Sequence, residues 1–237
     1  MRHVADLYNG GQIDDFLALF TDQGVVQFAG DDPSTSADQA RSDIKQGAQA
    51  GGTVNIRAFQ NEQVSGDTAS FNLETTQGHS VVLETFTLKL VNGNWLIDGY
   101  KQISPSIPAG TRTVEVDASE FKYDFDPSQM TDGDFAIAFK NTGQQAHELQ
   151  ILKIDEGADL QATVNDLLNS GGPSDLPSEI QTYIGGSFSQ AGETTNIVFA
   201  QPLEKGRYLM VSLISDVSDP NLAPEATKGM FAEFTVN

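Results

Sequence analysis

The sequence predicts two domains: an α+β domain of helices on an antiparallel sheet, then an all-β sandwich with a helical insertion. A chain of 237 residues is long enough for two domains of ordinary size. Helical spacing of apolar residues dominates about the first 50 positions, and strand patterns broken by turn signals dominate the rest. A segment rich in proline, at 105–112, separates two patterns of different character. We therefore place the domains at 1–104 and 113–237, joined by that linker.

The first 50 residues predict mainly helices. Apolar residues recur at helical spacing over 1–20 and are interrupted at 9–12, which indicates two short helices joined by a turn. The run VVQF at 25–28 has strand-forming residues and predicts a short strand. A further helix is expected over 36–50, where the segment STSADQA offers an N-cap and a glycine pair follows the end.

Four strands follow in the first domain. Strand character extends over 53–64, 68–77, 80–91 and 95–103. The dipeptide Asn92-Gly93 between the last two segments is the strongest short hairpin signal in the chain, because both residues tolerate positive φ. Helices followed by an antiparallel sheet make an α+β domain.

Two motifs give the first domain a family resemblance: YNGGQIDDFLALFTDQGVVQF near its start and FTLKLVNGNWLIDGYKQISP at its end. They resemble the nuclear transport factor 2 and SnoaL-like superfamily, in which helices close a bent sheet into a cone. The resemblance implies a pocket inside the cone, and members include isomerases, cyclases, binding proteins and dimerisation modules. The residues that could line such a pocket are Tyr8, Phe16, Phe20, Phe28, His79, Glu84, Trp95, Asp98 and Tyr100.

The first domain allows three roles. As an enzyme, it would use Asp98 as a general base that abstracts a proton beside a carbonyl group. As a carrier, it would bind a small apolar molecule in the cone. We favour a third role, a packed or dimerising cone, because aromatic residues at these spacings usually form core.

The second domain consists of short strands with regularly spaced turn signals. Strand patterns occur in TVEVDASEFKYDF, MTDGDFAIAFKNTG and HELQILKI, and later in TTNIVFA and GRYLMVSLI. This pattern predicts a β-sandwich. An insertion at about 155–186 interrupts it. Apolar spacing there predicts one helix around Leu160–Leu168 and a second short helical piece over 176–184, which we expect to cover one side of the sandwich.

The end of the chain, 206–236, resembles the ligand-bearing hairpin of a cupredoxin, with Tyr208, the Gly229-Met230 step and Phe234 in their expected places. The resemblance implies a Greek-key sandwich and identifies His147, in NTGQQAHELQIL, with the first copper histidine. Two positions depart from the family. Ser212 stands in place of the copper cysteine, and Glu225 stands in place of the second histidine.

These departures argue against type 1 copper, which depends on a soft thiolate ligand. The chain contains no cysteine, so no residue can supply that thiolate. We expect no cofactor and no metal, and we expect His147 to be satisfied by backbone hydrogen bonds. The alternative is weak metal binding by His147 with Met230 and Glu225.

Charge limits the partners. The net charge of −20 argues against nucleic acid and anionic membranes, and it favours cationic partners. No window of about 18 apolar residues is present, so we expect no membrane insertion. A homodimer through the N-terminal domain and a small apolar ligand remain open. We expect export to the periplasm or the extracellular space, with a signal peptide outside this sequence, because Met1 falls within the predicted first helix.

Together these observations predict a non-catalytic, exported two-domain protein that acts by binding, with a degenerate cupredoxin domain. The alternative is a protein that binds a small apolar ligand, or an isomerase-like or cyclase-like enzyme, using the N-terminal cone.

Overall fold

The structure is a computed structural model that describes residues 2–30, 34–48, 54–170 and 176–237. The chain divides into two compact units. The first comprises residues 1–77 and 82–103, and the second comprises residues 78–81 and 104–237. Five residues of the predicted first domain, 78–81 and 104, therefore belong to the second unit.

The first unit begins with four helices: α1 (Arg2–Asn9), α2 (Ile13–Leu17), α3 (Asp22–Ala29) and α4 (Ala37–Ala48). The two predicted short helices are confirmed, but the strand predicted at 25–28 is wrong, because this segment lies inside α3. Thr21 caps α3 by accepting a hydrogen bond from the backbone N–H of Gly24, and Gly30 ends it at φ 73°. These caps supply hydrogen bonds to the unpaired backbone groups at the ends of the helix, and they outweigh the strand preference of the two valines.

Four antiparallel strands complete the first unit: β1 (Asn55–Ser65), β2 (Thr68–Gln77), β3 (Ser80–Val91) and β4 (Asn94–Ile103). The first two residues of β3 are counted with the second unit. They are ordered β1-β2-β3-β4. The predicted Asn92-Gly93 hairpin is confirmed, with φ of 50° and 85° at the two turn residues. Residues 49–53, where the end of a helix and the start of a strand were predicted, lie outside the described residues.

The helices of the first unit pack on one face of its sheet. The buried core includes Phe16 and Phe20 from the helical region, Phe71 and Phe86 from the sheet, and Ile97 from β4. Gly24 allows α3 to approach β4, since a Cβ at this position would lie 2.1 Å from the carbonyl oxygen of Ile97. The predicted α+β architecture is therefore confirmed.

The second unit is a two-sheet sandwich. Its strands are β5 (Thr113–Ser119), β6 (Lys122–Asp124), β7 (Ala136–Asn141), β8 (His147–Ile154), β9 (Ile180–Ser189), β10 (Thr194–Phe199), β11 (Gly206–Val211) and β12 (Phe231–Val236). One sheet is ordered β10-β7-β5-β6, with β5 and β7 parallel, and the other is ordered β12-β11-β8-β9. Residues such as Phe139, Leu149, Tyr208 and Phe234 fill the space between the sheets. The predicted sandwich is confirmed.

In the described part of the insertion, 155–170 and 176–186, there is one helix, α5 (Leu160–Asn169). Val164 and Leu167 of α5 are buried with Leu152 of β8 and Leu209 of β11, so the helix covers the outer face of the second sheet. The second helical piece predicted at 176–184 is wrong, because its last five residues begin β9, which pairs with β8. A short apolar run fits the period of a helix as well as that of a strand, and strand pairing decides between the two.

Candidate functional site

The four positions that the sequence aligned with copper ligands lie on three segments of the second unit. His147 is the first residue of β8, and Ser212 directly follows β11. Glu225 begins a short 3₁₀ helix, and Met230 directly precedes β12. All four residues are fully buried.

Glu225 links two of these residues. One carboxylate oxygen, Oε1, lies 2.9 Å from Nδ1 of His147, and the other, Oε2, accepts a hydrogen bond of 2.7 Å from Oγ of Ser212. A carboxylate and an imidazole nitrogen at this distance share one hydrogen bond, in which an ionised carboxylate would accept from Nδ1. The prediction that backbone groups would satisfy His147 is therefore wrong. The Nδ1 atom is paired instead with a side chain 78 residues away in sequence.

Backbone hydrogen bonds fix the cluster in place. The N–H of Ser212 donates to the carbonyl of Met230, and the N–H of Ala226 donates to the carbonyl of Ser212. The N–H of Glu225 donates to the carbonyl of Ile214. The side chain of Met230 is buried in the core of the sandwich. Backbone hydrogen bonds at Glu225 and at its neighbour Ala226 therefore hold the carboxylate of Glu225 in place.

Asn141 positions the segment that leads to His147. Its side-chain amide donates to the carbonyls of Gln145 and Ser189, at 2.8 and 2.9 Å, and its oxygen accepts from the N–H of Gly143. The sequence-based prediction did not include this role. Asparagine bonded to backbone two residues later is a recognised turn signal, and it could have indicated the role.

Gly143 packs against the far side of the imidazole. A Cβ on this residue would lie 2.6 Å from Nε2 of His147 and 2.7 Å from Oε1 of Glu120. Within the described residues, Nε2 is buried and has no hydrogen-bond partner. The imidazole is therefore held by one polar contact and by close packing.

The outer part of the loop 212–230 is held by charge. Lys228 contacts Asp216, lies 3.1 Å from Asp219, and lies over the ring of Phe121 at 4.9 Å. Hydrogen bonding from Lys228, with help from Ser218, holds the pKa of Asp216 well below its usual range. Two apolar residues of this loop remain exposed: Val217 at 74 % and Leu222 at 57 %.

In the first unit, the structure brings together most of the predicted pocket residues. Tyr8, Phe16, Phe20, Phe28 and Tyr100 form a continuous series of ring contacts, with neighbouring centroids 4.9–5.5 Å apart. These distances are typical of packed aromatic pairs.

Trp95, Asp98 and His79 are placed differently. Trp95 is 40 % exposed and outside the ring series. Asp98 accepts a hydrogen bond of 2.8 Å from Oγ1 of Thr21, the residue that caps α3. His79 belongs to the second unit. Glu84, in contrast, is buried and accepts a hydrogen bond of 2.9 Å from the hydroxyl of Tyr100.

The donor set of the second unit does not fit a type 1 copper ion. Such an ion requires a thiolate, and the sequence has no cysteine. The Nδ1 atom of His147 and the hydroxyl of Ser212 are both engaged by Glu225. Among the described residues, no group of three or more histidine or carboxylate side chains is arranged to hold a metal ion.

Solved structures of both predicted folds are similar to parts of this chain. Auracyanin from Roseiflexus castenholzii is 23 % identical over 55 % of this chain and 99 % of its own, with a TM-score of 0.33. Auracyanin A from Chloroflexus aurantiacus, described as a blue copper protein, is 23 % identical over 54 % of this chain and 100 % of its own, at 0.35. A nuclear transport factor 2-like protein of unknown function from Shewanella oneidensis is 11 % identical over 42 % of this chain and 88 % of its own, with a TM-score of 0.35.

Each of the two predicted folds is therefore represented among the solved structures that are similar to part of this chain. No family model and no curated protein matches the sequence.

Proposed function

We propose that this chain is a non-catalytic binding protein whose second unit keeps a cupredoxin-like frame without a type 1 copper ion. One observation carries the proposal: both oxygens of Glu225 are bonded to residues at copper-ligand positions, inside a fully buried cluster. The carboxylate joins β8 to the loop 212–230, which is the connection that a metal ion would otherwise make.

The energetics favour a structural role for the cluster. Removing the acceptor of a buried hydrogen bond costs about 1–3 kcal/mol for each donor left unsatisfied. A protein stabilised in this way keeps its loop ordered without a metal. Electron transfer through copper would not be available to it.

Charge and surface support binding as the role. The loop 212–230 presents Val217 and Leu222 to solvent on a segment fixed by internal hydrogen bonds. Because the net charge is −20, attraction at long range favours cationic partners. Export remains part of this proposal, and none of the helices in the described ranges is long and apolar enough to cross a membrane.

Titration with Cu(II) and Cu(I), followed by calorimetry and absorption spectroscopy, tests the proposal. We expect no intense band near about 600 nm, since that band requires a thiolate ligand. We also expect that the natural chain binds copper no more strongly than His147→Ala does. The variant His79→Ala serves as the matched control for adventitious binding by a histidine. Micromolar or tighter copper binding that is lost in His147→Ala and kept in His79→Ala would contradict the proposal.

A further inference from the structure

A cavity of about 190 Å³ lies in the second unit, at one end of the sandwich. Lys153 of β8 is the direct cross-strand partner of Thr182 on β9 and of Tyr208 on β11. All three residues line the cavity and lie near an end of their strand. Side chains of direct partners share one face of a sheet. Because Tyr208 belongs to the core between the sheets, this row of side chains lies on the inner face.

The floor of the cavity is apolar. Ile184, Leu203 and Tyr208 line it, and all three belong to the buried core of the sandwich. The hydroxyl of Tyr208 is already satisfied, since it donates a hydrogen bond of 2.6 Å to the carbonyl of Glu204. A cavity of about 150 Å³ is large enough to hold benzene. This cavity is therefore large enough for a branched aliphatic side chain.

An ion pair lies beside the apolar floor. The Nζ atom of Lys153 is 2.8 Å from Oε2 of Glu204, and both residues line the cavity. The side chain of Lys153 is 15 % exposed and that of Glu204 is 74 % exposed, so the pair extends from the interior to the rim. Hydrogen bonding from Lys153 lowers the pKa of Glu204. Glu204 is therefore ionised at neutral pH.

Both partners of this pair can form further hydrogen bonds. An ammonium group has three N–H donors, and a carboxylate has two acceptor oxygens. Among the described residues, Nζ of Lys153 donates only to Oε2 of Glu204, and Oε1 of Glu204 accepts no hydrogen bond. The pair thus offers a cation and an anion side by side, each with unused hydrogen-bonding capacity.

A zwitterion matches this arrangement. An α-amino acid carries its ammonium and carboxylate groups on one carbon, so its two charges are about as close together as those of the ion pair. In antiparallel alignment, each charge of the ligand lies beside its opposite while the pair of Lys153 and Glu204 stays intact. Such attraction is stronger in a partly buried site than in bulk water. Because a zwitterion has no net charge, the charge of −20 on the chain does not repel it as it would repel a simple carboxylate.

We propose that this cavity binds a free α-amino acid with a branched aliphatic side chain. The carboxylate of the ligand accepts hydrogen bonds from Lys153, and its ammonium group donates to Glu204. The aliphatic side chain packs on Ile184 and Leu203. This site does not depend on the copper-free cluster around Glu225, since His147 and Lys153 lie near opposite ends of β8.

Calorimetric titration of the full chain with L-leucine tests the proposal. Two further probes each lack one of its charges: 4-methylpentanoate is leucine without the ammonium group, and 3-methylbutylamine is leucine without the carboxylate. We expect saturable binding of leucine that is at least roughly tenfold tighter than the binding of either probe, because only leucine pairs with both charges of the site.

Two variants each remove one charge of the ion pair and keep most of the side-chain volume. They are Lys153→Met and Glu204→Gln, and we expect each to weaken leucine binding roughly tenfold. Because Glu204 is exposed, Glu204→Gln is expected to fold and remains informative if Lys153→Met does not. Glu233→Gln is the matched control, since Glu233 pairs with Arg207 and does not line the cavity.

Three results would each overturn the proposal. The first is the absence of saturable leucine binding to the natural chain. The second is binding of 4-methylpentanoate or 3-methylbutylamine as tight as that of leucine. The third is leucine binding in the folded variants of Lys153 and Glu204 that equals binding in Glu233→Gln.

Discussion

The Nδ1 atom of His147 lies 2.9 Å from Oε1 of Glu225, and both residues are fully buried. Glu225→Ala would leave the imidazole and the hydroxyl of Ser212 without this acceptor. We expect it to lower the free energy of unfolding of the second unit by about 1–3 kcal/mol for each of these two groups. Urea unfolding followed by fluorescence measures the change. Glu115→Ala, at an exposed position of β5, is the control, and a loss below about 1 kcal/mol in Glu225→Ala would show that the cluster contributes little.

Close packing behind the imidazole leads to a second prediction. Gly143→Ala would place a methyl group 2.6 Å from Nε2 of His147. Because His147 is buried and cannot move freely, we expect a loss of about 1–3 kcal/mol in unfolding free energy, as for other overpacked sites. Gly157→Ala is the matched control, since its Cβ would meet no atom within 4 Å. Equal stabilities of the two variants would contradict this packing argument.

The contact of Lys228 with Asp216 makes the stability of the second unit sensitive to acid. The pKa of Asp216 in the folded chain lies below its ordinary value of 3.8, first because of Lys228. Its contribution is therefore fully present above about pH 4 and is lost as the pH falls through the folded pKa. We expect Asp216→Asn to be less stable than the natural chain at pH 7, with the difference shrinking towards pH 2. Urea unfolding across this range measures it, and a difference that grows on acidification would refute the assignment.

Gly24 determines how α3 packs on β4. In Gly24→Ala, the new Cβ would meet the carbonyl oxygen of Ile97 at 2.1 Å, so the helix has to shift. Despite the better helix propensity of alanine, we expect destabilisation of the first unit by about 3 kcal/mol, at the upper end for overpacked cores. Thermal unfolding followed by circular dichroism measures the loss. Gln23→Ala, on the exposed side of the same helix, should change stability by less than about 0.5 kcal/mol.

Two errors in the sequence-based prediction have the same physical origin. The valines at 25 and 26 favour a strand locally, yet Thr21 and Gly30 cap a helix around them. The segment 180–184 has apolar spacing that fits a helix, yet it pairs with β8 as a strand. In both cases a short apolar run fits the period of a helix and that of a strand. Helix capping, or strand pairing with distant residues, then selects one of the two structures.

The candidate site, too, could be predicted from the sequence only in part. The resemblance of the chain end to a cupredoxin hairpin selected Ser212, Glu225 and Met230 as positions of interest, and the resemblance of the segment NTGQQAHELQIL selected His147. Their hydrogen bonding could not be predicted, since His147 and Glu225 are 78 residues apart and their contact depends on how β8 and the loop 212–230 pack. The pairing of Glu84 with Tyr100 was hidden for the same reason, as it depends on the register of β3 and β4.

By itself, the sequence determined the two architectures and excluded a thiolate ligand, because apolar periodicity and the absence of cysteine are properties of the chain. Only the tertiary structure decided that a carboxylate joins the imidazole to the serine, and that Lys153 and Glu204, 51 residues apart, form an ion pair beside a cavity. Both depend on directions and distances between strands, which local residue preferences do not specify.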